Sequence, residues 1–178
     1  MTNPPQKVRV AKLTETQIDA VVTLDLAAKQ SMHRAGVPAS EVPARGLAGI
    51  AKLTKLHDVL AADADGAVAG YAAWRDESPG VAYLEDLAVK PELQRVGVAT
   101  KLLDSVKEKA RAAGLPVLLV RCWSKAAPAK AFLEKSGFVA LGSEPEAVGD
   151  RVAAWREEQE AHGGLVREGQ VVLVHALQ

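Results

Sequence analysis

Residues 81–114, VAYLEDLAVKPELQRVGVATKLLDSVKEKARAAG, pass from a β-branched and aromatic stretch through a glycine-bearing turn into an amphipathic helix. Val81–Val89 reads as a strand that stops before Pro91, since proline has no amide to give a ladder. Gln94-Arg95-Val96-Gly97-Val98-Ala99 follows at once. Val98, Ala99, Leu102, Leu103, Val106 and Ala110 then recur on one helical face, and Gly114 is placed to end the helix at C′. A strand, a turn and a helix in direct succession leave the helix's first amides unpaired at its positive end, a general way of holding phosphate. Gly97 permits close backbone approach, and Ala99 keeps the next position small.

The remaining sequence supplies strands and helices around this segment. Lys7–Leu13 alternates like a strand, and Thr14-Glu15-Thr16-Gln17 offers a capping box for a helix to about Arg34, ended by Gly36 and Pro38. Ser40 is the expected cap of a second helix through Leu56. Val59–Ala62 and Val68–Arg75 flank Asp63-Ala64-Asp65-Gly66, a hairpin signal, and Ser78-Pro79-Gly80 is a second turn. Pro116–Trp123 reads as a buried strand. Pro128 suits the first position of a helix over Ala129–Ser136, closed by Gly137. Phe138–Gly142 and Val171–Leu177 read as the last strands. Between them Glu144–His162, with Val148, Val152 and Trp155 at helical spacing and a Gly163-Gly164 stop, reads as an inserted helix.

At 178 residues, 48% hydrophobic and 25% charged, the chain is expected to be one globular domain. Its net charge of zero disfavours nucleic acid as a partner. The charge is unevenly placed: residues 90–130 hold nine Lys/Arg against three Asp/Glu, and residues 144–160 hold six acids against two bases. That pattern suits a polyanionic cofactor beside a cationic acceptor, and equally suits solvated helix faces. Cys122 is the only cysteine, so no internal disulfide forms and a reducing compartment is expected. MTNPPQKVRV lacks the apolar core of a signal peptide, and no run approaches membrane-spanning length; a cytoplasmic protein without membrane partners is the expectation. His33, His57, His162 and His175 show no metal-ligand spacing, so no metal is expected.

Val89, Pro91, Gln94, Gly97 and Ala99, in this order and spacing, resemble motif A of the GNAT N-acetyltransferase superfamily. Tyr83-Leu84-Glu85-Asp86 looks like the matching strand of its polyamine acetyltransferases. Ala129-Lys130-Ala131-Phe132-Leu133-Glu134-Lys135-Ser136-Gly137-Phe138 resembles motif B. The specific motifs cover about residues 59–142, and element order extends the likeness to both ends. The resemblance implies a mixed α/β fold with a central, mostly antiparallel sheet, one parallel splayed strand pair and helices on both faces. The first two helices would then form an arm over the acceptor.

It also implies acetyl-CoA as co-substrate, with a primary amine of a small molecule or peptide as acceptor. Acetyl transfer by direct attack in a ternary complex is the leading expectation. The alternative is a non-catalytic module that binds and senses acyl-CoA. A homodimer is compatible with either. Amides of Arg95, Val96, Gly97, Val98, Ala99 and Thr100, with Gln94, would hold the pyrophosphate. Leu87, Ala88 and Val89 would lie at a strand bulge beside the pantetheine, the Val89 amide polarising the thioester. Ala129 and Phe132 of motif B would complete the cofactor contacts. An alkylamine is only about 0.1% neutral at pH 7, so a base is needed. By resemblance that base is Glu85; Asp86 on the other strand face and an ion-paired strand role for both remain open. Two positions depart from the family: Leu133 stands where a tyrosine often protonates the thiolate, and Ala126 where asparagine is common. Tyr83, Cys122, Ser124 or water would then replace that acid. Cys122 reads best as a buried strand residue, and Trp155 as packing or as part of an acceptor pocket.

Overall fold

The structure is a computed structural model that describes residues 7–77, 79–164 and 166–177. Its strands are β1 (Val8–Lys12), β2 (Asp58–Ala64), β3 (Ala67–Glu77), β4 (Val81–Val89), β5 (Val117–Trp123), β6 (Val139–Ala140) and β7 (Gln170–Ala176). Its helices are α1 (Ile18–Arg34), α2 (Gly46–Leu56), α3 (Val98–Ala112), α4 (Ala127–Lys135) and α5 (Glu146–Ala161). The strands order as β1-β2-β3-β4-β5-β7-β6 in one sheet. β1/β2, β2/β3, β5/β7 and β6/β7 pair antiparallel, and β4/β5 is the parallel pair. The parallel pair is joined through α3, as such a pair requires a crossover. This is the mixed, mostly antiparallel sheet that the sequence leads one to expect. Ser78, in the second expected turn, lies outside the described residues.

The chain divides into two compact units, Met1–Trp74 with Asp86–Val106, and Arg75–Glu85 with Lys107–Gln178. In the first, Val21 and Leu24 of α1 and Ile50 and Leu53 of α2 pack on Val59, Val68, Tyr71, Ala73 and Ala88. The next residue along β3, Gly70, points the other way: a Cβ there would meet the Ala88 carbonyl at 2.7 Å and Leu102 of α3 at 3.1 Å. Helices therefore cover both faces of the sheet within this unit. The β2–β3 turn is tighter than the four residues expected. Asp65 (φ 53°) and Gly66 (φ 91°) are both left-handed, the two-residue hairpin turn that Asp-Gly favours.

Helix α1 is preceded by a 3₁₀ turn, Glu15–Gln17, with the expected capping box at Thr14. The second helix begins later than Ser40 allows. Residues 35–45 are irregular because Pro43 disfavours helix before it, and because the Arg45 amide donates to Asp25 Oδ2 at 2.8 Å.

In the second unit Val148, Val152 and Trp155 of α5 pack on Val81, Tyr83, Val117, Leu119, Val172 and Val174. The inserted helix is thus present and presents the expected residues. Each fully buried Val or Leu of such a face contributes about 1.5–3 kcal/mol. The strand expected over Phe138–Gly142 shrinks to two residues. The Phe138 amide is taken by the Leu133 carbonyl at 3.1 Å, and Ser143 N–H turns back to the Ala140 carbonyl at 2.9 Å.

Candidate active site

After β4, Pro91–Leu93 forms a 3₁₀ turn and Gln94 is extended at ψ 153°. Arg95 (φ 64°) and Gly97 (φ 88°) then adopt the left-handed conformation, and α3 begins at Val98. The cost of placing a non-glycine residue there is borne at Arg95, as happens where a backbone concavity is built for a ligand. Gln94, Arg95, Val96, Gly97 and Thr100 are exposed, whereas Val98 is buried and anchors the helix start. The first amides of α3 have no acceptor within the helix. A Cβ added at Gly97 would meet nothing within 4 Å, so the concavity opens on free space. These residues fit a pyrophosphate: outward amides, a helix's positive end, and a guanidinium beside them.

Glu85 and Asp86 are consecutive in β4 and fall in different units. In the first unit Asp86 Oδ2 accepts from Lys29 Nζ at 3.0 Å, Arg45 Nη1 at 2.6 Å and the Tyr71 hydroxyl at 2.9 Å. Its Oδ1 accepts the amide of Leu87 at 3.0 Å. Asp25, fully buried, accepts from the Arg45 amide and Nη1 (2.8 Å each) and from the Tyr71 hydroxyl at 3.0 Å. Burial alone would raise the Asp86 carboxyl, but Lys29 and Arg45, with hydrogen bonds from Lys29 and Tyr71, hold it below the usual carboxylate range. Burial also works against the Arg45 charge, and Asp86, Tyr71 and Asp25 more than offset it. Tyr71 is pushed well above the ordinary phenol value by burial and by both carboxylates. Asp86 is thus held by two cations, a phenol and a backbone amide.

In the second unit Glu85 Oε2 accepts from Arg75 Nη1 at 3.0 Å, and each side chain is about one-third exposed (32% and 31%). Arg75 also pairs with Glu77 Oε1 at 3.3 Å and lies 4.9 Å from the Tyr83 ring centre. Arg121 lies 5.3 Å from the same ring and 5.5 Å from that of Trp155. It donates to the Tyr83 hydroxyl at 3.3 Å and to Gln159 Oε1 at 2.7 Å. Burial raises the Tyr83 phenol, Arg121 opposes it and Glu85 adds to it, with a net rise. Of the alternatives for Trp155, packing is what is found: it is fully buried.

Ala129 is exposed, Phe132 half-buried and Leu133 5% exposed, so the residue in the tyrosine position belongs to the core. Cys122 is buried and its thiol is raised by burial, an inert strand residue as expected. Burial lowers His175, whose Nδ1 lies 2.9 Å from the Gly137 carbonyl. Among the described residues no group of His, Cys, Asp or Glu could hold a metal, and no helix is long and apolar enough to cross a membrane. Sequence reasoning missed Asp25, Lys29, Arg45 and Tyr71 around Asp86, and Arg75, Glu77, Arg121 and Gln159 around Glu85. Asp25 and Lys29 did leave a signal, an acid and a base four apart beside the apolar stripe of α1.

The parallel β4/β5 pair joined through α3 is a β-α-β unit with its turn at the start of the helix. The chain matches the acetyltransferase (GNAT) family over residues 30–138, and the protein belongs to that family. No curated protein matches it. Solved structures share the fold at low identity. A GNAT-family acetyltransferase from Staphylococcus aureus is 12% identical, with 97% of this chain and 100% of that chain covered and a TM-score of 0.69. PaiA N-acetyltransferase from Thermoplasma acidophilum, solved with coenzyme A, is 14% identical over 96% and 99%, with a TM-score of 0.70. N-acetylglutamate synthase from Neisseria gonorrhoeae, complexed with coenzyme A and N-acetyl-glutamate, is 18% identical over 97% of this chain and 35% of that one (TM-score 0.68).

Proposed function

We propose that this protein transfers an acetyl group from acetyl-CoA to a primary amine of a small molecule or peptide, by direct attack in a ternary complex. The observation that carries the reading is the turn Gln94–Thr100, with its left-handed Arg95 and Gly97 and its open amides at the start of α3. Membership of the acetyltransferase family and the coenzyme A in the PaiA structure support it. Bound acetyl-CoA supplies an activated thioester. Amides from Arg95 to Thr100 hold its pyrophosphate, and the Arg95 guanidinium adds charge. Leu87, Ala88, Ala129 and Phe132 line the rest of the cofactor, and the Val89 amide donates toward the acyl oxygen. Glu85 takes the acceptor's proton. It reaches solvent and is aimed by Arg75, whereas Asp86 is held by Lys29, Arg45 and Tyr71. We read 1–178 as a single acetyltransferase domain working in the cytoplasm, where buried Cys122 stays a thiol.

Gly97→Asp tests the turn. It places an anion against the phosphates and strains a left-handed position, while nothing packs on the site of the new Cβ. Acetyl-CoA affinity by calorimetry is expected to fall by more than about tenfold, in a protein that still folds cooperatively and melts only a few degrees lower. Unchanged affinity removes the turn from the cofactor site. Release of free thiol from acetyl-CoA only when an amine is present separates an enzyme from a sensing module.

A further inference from the structure

We propose that Arg75 and Glu77 are positioning residues for Glu85: one guanidinium is divided between two carboxylates, and it shifts to Glu77 when an acceptor ammonium engages Glu85. The inference rests on the reading of Glu85 as the base. All the groups it uses belong to the second unit.

Strand period two puts Arg75 and Glu77 on one face of β3, and Tyr83 and Glu85 on one face of β4. The connecting turn is closed by the Gly80 amide, which donates to the Glu77 carbonyl at 2.7 Å. A guanidinium binds one carboxylate best through two parallel N–H bonds. Here the fork is split: Nη1 is on Glu85 Oε2 at 3.0 Å, and Nη2 on Glu77 Oε1 at 3.3 Å. Glu77 Oε1 takes a second donor, Gln159 Nε2 of α5, also at 3.3 Å. Glu77 Oε2, by contrast, is buried with no hydrogen-bond partner. A buried carboxylate oxygen without a donor is costly, so this atom is an acceptor kept in reserve. It is filled if Arg75 closes its fork on Glu77.

The groups around the pair include the charged Arg75 and Glu77 from β3, Glu85 from β4 and Arg121 from β5, with the neutral phenol Tyr83 from β4 and the neutral Gln159 and Trp155 from α5. Arg121 is held on Tyr83 and Gln159, whereas Arg75 already bridges two carboxylates and can change its share between them. In the free protein Arg75 aims the Glu85 carboxylate. When the acceptor's ammonium gives its proton to Glu85, a neutral amine and a neutral carboxyl result. The guanidinium is then balanced by Glu77 alone. The pair is a third exposed, so the exchange needs no unpacking.

The test follows the Glu85 carboxyl by carbon NMR in wild type, Glu77→Gln, Arg75→Gln and the double variant, with Glu85→Gln giving the assignment. Glu77→Gln leaves Arg75 to Glu85, whose titration is expected to fall by about half a pH unit; Arg75→Gln is expected to raise it by about one. The Glu77→Gln displacement is expected to shrink at least twofold once Arg75 is gone, because it acts through the arginine. The acid limb of kcat/KM for the amine moves in the same two directions, and KM for the amine rises more than kcat falls in Glu77→Gln. Titrations that coincide, or single effects that simply add, overturn the proposal even when acetyl transfer is confirmed. Displaced, non-additive titrations in a protein that acetylates no amine overturn the catalytic reading of Glu85 and leave the shared arginine standing.

Discussion

Glu85 and Asp86 are neighbours in one strand, yet they differ in everything that governs what a carboxylate can do. Asp86 meets two cations and a phenol in the first unit, and its second oxygen takes the Leu87 amide. Glu85 meets the Arg75 guanidinium in the second unit and reaches solvent. Saturated, desolvated pairs give up their partners at high cost, whereas a half-exposed pair exchanges partners readily. Alternation along a strand thus sends two consecutive acids into different surroundings, one tightly held and one open to solvent.

The largest expected effect comes from breaking the Asp86 side. Asp86→Asn keeps the shape but leaves Lys29 and Arg45 facing Asp25 alone, and is expected to cost about 3–5 kcal/mol in urea unfolding. The pH dependence has a definite sign. A carboxyl lower in the folded than in the unfolded state stabilises above the ordinary aspartate range, and that contribution disappears as pH falls through the depressed value. Wild-type stability should therefore fall on acidification below about pH 5, and Asp86→Asn should flatten that fall. An equally steep acid limb in the variant would place the titration elsewhere.

Glu85→Gln should do the reverse. Its pair is too exposed to contribute more than about 1 kcal/mol, so unfolding is expected to change little. The value of kcat/KM is expected to drop about 10²-fold below the acceptor's own pKa, and much less where the amine is already neutral. Equal pH profiles in variant and wild type would remove Glu85 from the chemistry.

The strand–turn–helix at 81–114 was legible because period and punctuation agree there: β4 runs Val81–Val89 and α3 starts at Val98, as the residues imply. The inserted helix α5 was legible for the same reason, through Val148, Val152 and Trp155. The start of α2 was not. Pro43 was a local signal against a start at Ser40, but the other cause, the side-chain acceptor Asp25, 20 residues from Arg45, leaves no trace in local pattern. The surroundings of Glu85 and Asp86 escaped for that reason too. Arg45 and Tyr71 are 41 and 15 residues from Asp86, and Gln159 is 82 from Glu77. A strand's period says that two acids part company; only the tertiary fold says what each one meets.

Tyr71→Phe is a smaller perturbation of the buried side. One hydroxyl proton serves two carboxylates, at 3.0 and 2.9 Å, so at any moment one of those contacts is carried by the cations. Removing the hydroxyl should cost about 1–2 kcal/mol, less than Asp86→Asn, because Lys29 and Arg45 remain. It should also ease acid sensitivity in the same sense as a deleted cation, though by less, since Asp86 loses a donor and its carboxyl rises toward the usual range. A loss as large as that of Asp86→Asn would show that the phenol, and not the cations, holds the network.

Cys122 extends the comparison to the second unit, where a nucleophile is buried while the carboxylate Glu85 is about one-third exposed (32%). Burial raises the thiol, with Lys130 opposing and Glu134 adding, so little thiolate exists near neutral pH. A direct-attack reaction needs no thiolate from the protein. Cys122→Ala is therefore expected to change kcat by less than about twofold and to cost about 1 kcal/mol through the small cavity left. Thiol-directed reagents should label native Cys122 slowly at pH 7.5 and rapidly once urea exposes it. An acetylated Cys122 trapped by acid quench, together with a large loss of kcat in the alanine variant, would instead mark a covalent route. The buried thiol, and not Glu85, would then be the reactive group of this unit.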